Sequence, residues 1–146
     1  MMLSPHFTLE EFTISQTAAR EGIDNSPSSE HLENLKRMAG VMEEVRVLLG
    51  NKPIIVSSGY RSPALNVAVG GSSVSAHCAG LACDFTCPGF GSPYEICRVL
   101  QPRMLELGVD QLIYEFGAWV HLGLSEGVPR AMALTIDNQG TRHGIA

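Results

Sequence analysis

From Ser26-Pro27 to Gly50 the pattern admits one reading, an amphipathic helix. Ser26 supplies an N-cap and Pro27 a first-turn proline, after which Leu32, Leu35, Met38, Met42, Val45 and Leu49 recur at helical spacing until Gly50 stops the run. Lys36-Arg37 and Glu43-Glu44 fall on the opposite, solvated face. A helix with one apolar stripe must bury it against another layer. The rest of the chain offers short β-branched runs for that purpose.

Ile54, Ile55 and Val56 form the first such run, Leu81 to Thr86 the second, QLIYEF and WVHLGL the third and fourth around Gly117-Ala118, and AMALTID the last before a polar tail. Upstream, FTLEEFTISQTAAREG reads as one or two short helical turns ending at Gly22, with Leu9, Phe12 and Ile14 pointing inward. Ser92-x-x-Glu95 is a capping box with Pro93 in the first turn, and it opens a second helix through Ile96, Val99, Leu100 and Met104 toward Gly108. Pro102 should kink or split that helix. The stretch GYRSPALNVAVGGSS reads as a long loop, and loops of that length inside a compact fold are usually functional. With no regular βαβ alternation, the expected class is α+β, a small antiparallel sheet packed against helices, in one domain over residues 1–146.

At 146 residues, 45% of them hydrophobic, the chain is long enough for one core. Its net charge of -5 provides no basic stripe for a phosphate backbone, so no nucleic-acid partner is expected. No membrane partner is expected either, since no run approaches the roughly 18 apolar residues of a span. The start, MMLSPHFTLEEF, lacks the basic and apolar regions of a signal peptide, so the chain is expected to stay in the cytoplasm where it is made. Cys78, Cys83, Cys87 and Cys97 show no paired spacing and read as small packing thiols.

The chemistry concentrates in Ser75-Ala76-His77-Cys78-Ala79-Gly80-Leu81-Ala82-Cys83-Asp84 and in Trp119-Val120-His121. His77 ends a Gly/Ser-rich loop, Gly80 permits a sharp bend, and Asp84 falls on an apolar strand where an unpaired carboxylate would be expensive. In WVHLGL, alternation puts Trp119, His121 and Gly123 on one face and Val120, Leu122 and Leu124 on the other. Two histidines and one carboxylate make a catalytic zinc set, because three protein ligands leave a fourth position for water. His6, His31 and His143 read as ordinary.

The order S-x-H-x-x-G-x-A-x-D, preceded by SGYRSPALN and followed by WVH, resembles the peptidase M15 family over roughly residues 7 to 137. That family contains zinc D-Ala-D-Ala carboxypeptidases and phage L-alanyl-D-glutamate endopeptidases and shares the Hedgehog/DD-peptidase fold. The resemblance implies one zinc ion held by His77, Asp84 and His121, with Arg61 near the substrate or the developing oxyanion. Ser75, Tyr60, Asn66 and Trp119 would contact substrate or shape its pocket. The implied partner is a peptidoglycan stem peptide, cut next to a D-amino acid by metal-activated water. Access to the cell wall would then come by export or by release during phage lysis.

The chain departs from several relatives in its general base, since Ala118 stands three positions before the last histidine. Glu115 is the nearest acid. A two-residue turn at Gly117-Ala118 would put it on the face opposite His121, whereas a three-residue loop, Phe116-Gly117-Ala118, pairs Glu115 with Trp119 and Ile113 with His121. The three-residue loop is the expectation, with Asp110 as the reserve base. The alternative function is a non-hydrolytic zinc-binding module, Hedgehog-like, that binds a cell-wall peptide or protein partner.

Overall fold

The computed structural model describes residues 1–146. It opens with a hairpin that the sequence pattern did not announce, β1 (Met2–Ser4) against β2 (Phe7–Thr8). Glu43 clasps this hairpin to the long helix, accepting from the Ser4 hydroxyl at 2.6 Å and the His6 N–H at 2.7 Å. The expectation of a merely solvated Glu43 is thereby corrected. Two short helices follow, α1 (Leu9–Thr13), which starts in a capping box between Thr8 and Glu11, and α2 (Gln16–Glu21), which ends at Gly22. Phe12 is fully buried and Leu9 partly so, but Ile14 is 73% exposed. The helix has already ended there, and the extended backbone of Ile14 turns its side chain outward.

The long helix is α3 (Ser29–Leu48), capped by Ser28 rather than Ser26, because the Ser28 hydroxyl is the one that accepts from the N–H of His31. Leu35, Met38, Met42, Val45 and the following Leu49 are wholly buried, as the periodicity requires. After β3 (Ile55–Ser58) the expected long loop contains a helix, α4 (Pro63–Ala68). Its signal was Ser62-Pro63, an N-cap whose hydroxyl accepts from Leu65 N–H and a proline at the first helical position. Then come β4 (Ala82–Thr86) and α5 (Pro93–Leu100), which opens with the Ser92–Glu95 capping box. Pro102 splits the helix as expected, through a 3-10 turn at Gln101–Arg103 into α6 (Met104–Leu107). The remaining strands are β5 (Gln111–Glu115), β6 (Trp119–Gly123), β7 (Met132–Asp137) and β8 (Gly140–His143), the last lying in what read as a polar tail.

The fold is α+β, with the N-terminal hairpin as a small antiparallel sheet beside a six-stranded sheet ordered β3-β4-β6-β5-β7-β8. All pairs in the larger sheet are antiparallel except β5–β7, which makes it mixed. The exception follows from the path of the chain. An antiparallel β6 ends beside the start of β5, and segment 124–131 needs only to step over that end to lay β7 along the other edge of β5 in the same direction. Val120 and Leu122 of β6, Cys83 and Phe85 of β4 and Leu112 of β5 point to α3 and α5, where Met38, Met42, Ile96 and Leu100 close the core. Cys83, Cys87 and Cys97 are buried free thiols within it, and burial pushes the Cys97 thiol up to about 12. No helix is long and apolar enough to cross a membrane.

Candidate metal centre

The face of the sheet turned away from this core carries a row of paired residues that crosses four strands: Ile113 beside His121, His121 beside Asp84, and Asp84 beside Ser58. Period-two alternation forces this once the core pairs Cys83–Leu122 and Phe85–Val120 are buried. His77 reaches the same place from a 3-10 turn, Ala76–Ala79, whose first N–H groups are capped by Ser75; the Ser75 hydroxyl accepts from His77 N–H at 3.2 Å. Gly80 ends the turn at φ 74°, and a Cβ there would sit 2.9 Å from the His31 carbonyl oxygen. His77 Nε2 lies 3.3 Å and His121 Nδ1 2.8 Å from the same Asp84 oxygen.

The tautomer of His77 follows from its other neighbour. Nδ1 is 2.7 Å from the Gly59 carbonyl oxygen, which can only accept, so Nδ1 carries the proton and Nε2 presents a lone pair to the Asp84 carboxylate. Two acceptors facing each other at 3.3 Å in a nearly dry site repel, and either a proton on Nε2 or a metal ion between them removes the repulsion. One ligand atom from each of the three residues falls within 4.8 Å of the others, so the group could hold a metal ion. Tetrahedral bonds of about 2.0–2.2 Å put neighbouring ligand atoms roughly 3.3–3.6 Å apart; the His77–Asp84 spacing meets that, the His121–Asp84 spacing is shorter, and two imidazoles with one carboxylate are a donor set that zinc takes. Burial alone would raise the Asp84 carboxyl, but the His121 and His77 imidazoles outweigh it and hold Asp84 well below the usual carboxylate range.

Glu115 stands on this face. The β5–β6 register pairs it with Trp119 and pairs Ile113 with His121, and the connection is the three-residue loop, with Phe116 and Gly117 at φ 53° and 64°. The Glu115 carboxylate comes within 3.8 Å of His121 Nδ1. Burial raises its pKa, and Asp84 adds to that, against the pull of His121 and Arg61. The Trp119 indole Nε1, on the residue paired with Glu115, is buried with no partner. Asp110 is elsewhere. It precedes β5 at the far end of the ladder, and Arg130 occupies its carboxylate through Nε at 3.0 Å and Nη2 at 2.7 Å.

Arg61 is held in place by its backbone and its side chain. Its N–H donates to the His77 carbonyl oxygen at 3.0 Å, and its Nη1 donates to Asn66 Oδ1, also at 3.0 Å, leaving a buried Nε without a partner. Asn66 is only 3% exposed and anchors its amide on the Ser72 carbonyl. Gly71 completes the clamp, because any Cβ there would overlap Asn66 Oδ1 and crowd Arg61 Nη1. Tyr60 is buried with its ring against His31 at 5.2 Å. Sequence reasoning missed Gly59 and Asn25. Asn25 donates to the carbonyls of Thr13 and Tyr60 and accepts from Ser62 N–H, tying the first helices to the arginine loop. A lone Asn outside any periodic segment carries no signal for such a role.

Two imidazoles and a carboxylate on the open face of a mixed sheet, with a second carboxylate and a guanidinium beside them, define a metallohydrolase class of site. The chain belongs to the Peptidase M15 family, whose profile matches residues 5–123 and so takes in every residue of the group. It is a metallopeptidase by that membership. Curated proteins yield no match to the chain.

Proposed function

We propose that the protein is a zinc-dependent peptidoglycan peptidase that hydrolyses a stem-peptide bond next to a D-amino acid, as a D-Ala-D-Ala carboxypeptidase or an L-Ala-D-Glu-type endopeptidase. The observation that carries this reading is the convergence of the His77–Asp84–His121 group with Glu115 at 3.8 Å from His121. His77, Asp84 and His121 would hold the zinc, which supplies a Lewis acid for the scissile carbonyl and lowers the pKa of water. Glu115 takes a proton from the attacking water on its carboxylate and returns it to the leaving amine. Arg61, pinned by Asn66, keeps an unpaired Nε beside the site and stabilises charge developing on the carbonyl oxygen.

The substrate class rests on the family. The non-hydrolytic alternative rested on a missing acid, and the position of Glu115 on the neighbouring strand supports the hydrolytic reading over it. Action on the wall would follow export or release by phage lysis. Digestion of purified peptidoglycan by the zinc-loaded protein, read by mass spectrometry, tests the proposal. Fragments ending at a D-amino-acid bond are expected from wild type; intact peptidoglycan that nevertheless retains the protein would make it a binding module.

A further inference from the structure

Next to the metal centre lies a cleft of about 570 Å³, walled by Ile14, Ser15, Gln16 and Thr17 at the α1–α2 corner on one side and by Leu65 and Val69 of α4 and its cap on the other. Its floor is Ser57 to Arg61, at the end of edge strand β3. The cleft shares two residues with the surroundings of the metal centre. Ser58 is the β3 member of the row that contains Asp84 and His121, and Arg61 is the guanidinium beside them.

Its lining is selective. Arg61 is the one charged residue in it, and no carboxylate faces it. Ser15 and Ser57 have committed their hydroxyls to Ala18 N–H and the Asp84 carbonyl, whereas Gln16, Thr17 and Ser58 make no side-chain hydrogen bond within the chain. Unspent amide and hydroxyl groups between apolar patches from Ile14, Leu65 and Val69 match the alternation of peptide groups and small side chains along an extended peptide. A volume inside the range of about 300–1,000 Å³ that holds a drug-sized ligand leaves room for more than one residue.

We infer that this cleft binds an extended peptide segment of the substrate on the Arg61 side of the bond that is cut. The inference rests on the peptidase reading above, because it takes the metal centre as the place of cleavage. It assigns selectivity to the α1–α2 corner, a part of the chain distant in sequence from the metal group. Gln16 and Val69 are both exposed, so a large side chain at either position would fill the cleft without touching the core.

The test uses full-length Glu115→Gln protein loaded with zinc, so that binding is measured apart from turnover, and a synthetic stem pentapeptide as probe. Amide NMR shifts are expected at Gln16, Thr17 and Ser57 to Arg61, and Gln16→Trp and Val69→Trp added to that background are expected to weaken binding at least tenfold with zinc content unchanged. Shifts confined to the surroundings of His77, Asp84 and His121, or affinity unchanged from the Glu115→Gln background in both tryptophan variants, would overturn the inference. Failure of wild type to cleave any stem peptide while the cleft shifts persist would sink the peptidase reading alone.

Discussion

Glu115 is caught between a site that requires its charge and a burial that opposes it. Its replacement by Gln should therefore lower hydrolysis by about 10²–10⁴-fold with zinc content unchanged. The same change should stabilise the metal-free protein at neutral pH. A carboxyl whose folded pKa is raised costs nothing below its unfolded value of 4.5 and progressively more as pH rises toward the folded value. Denaturant melts of the two metal-free proteins should thus coincide at acid pH and separate as pH rises; a constant difference would contradict this. Asn66 acts on Arg61 rather than on substrate, so Asn66→Ala should lower kcat roughly 10–100-fold. KM for a dipeptide should hold, with partial recovery in Asn66→Asp, which keeps an acceptor for Nη1. Equal loss in both variants, tracking a lower Tm, would mean a structural role only. The grouping of His77, Asp84 and His121 was legible because their motif order resembles the family's and because an aspartate in an apolar strand demands a partner. Gly59 and Asn25 were not, since what they contribute is a main-chain carbonyl and a bridge between loops.

At the scale of elements, the contact of α1 with the end of β3 decides how well His77 is held. Gly59 lies so close to α1 that a Cβ would sit 2.5 Å from the Phe12 carbonyl oxygen, which also accepts from Tyr60 N–H at 2.7 Å. Gly59→Ala should push these elements apart, costing about 1–3 kcal/mol in a denaturant melt. Moving the Gly59 carbonyl off His77 Nδ1 should also weaken zinc binding roughly 10–100-fold in a chelator competition. Unchanged zinc affinity would show that the Gly59 bond does not orient the imidazole. The β5–β6 hairpin was legible by parity, because only a three-residue loop puts Glu115 on the face of His121 while Leu112 and Tyr114 turn to the core side. The parallel β5–β7 pair was not legible, since no local pattern records which edge of β5 a returning strand will take. The helix α4 was hidden by its shortness, although Ser62-Pro63 announced its start.

The molecule as a whole is a division of labour between the two faces of one sheet. The core face, packed on α3 and α5, sets the register, and the register places Asp84, His121, Glu115 and Ser58 on the other face. The class of the fold could be read from composition and periodicity because a single long helix and scattered short strands leave few layered arrangements. The remaining clamps, at His77 and Arg61, come from loops that only the folded chain brings together. Everything proposed for function depends on the buried group of two imidazoles and a carboxylate requiring a metal ion. The direct measurement is the zinc content of the purified protein after equilibration with zinc and removal of excess, wild type beside His121→Ala. About one zinc per chain in wild type, lost in the variant, is the result predicted. A wild-type chain that binds no zinc would contradict the account at its centre.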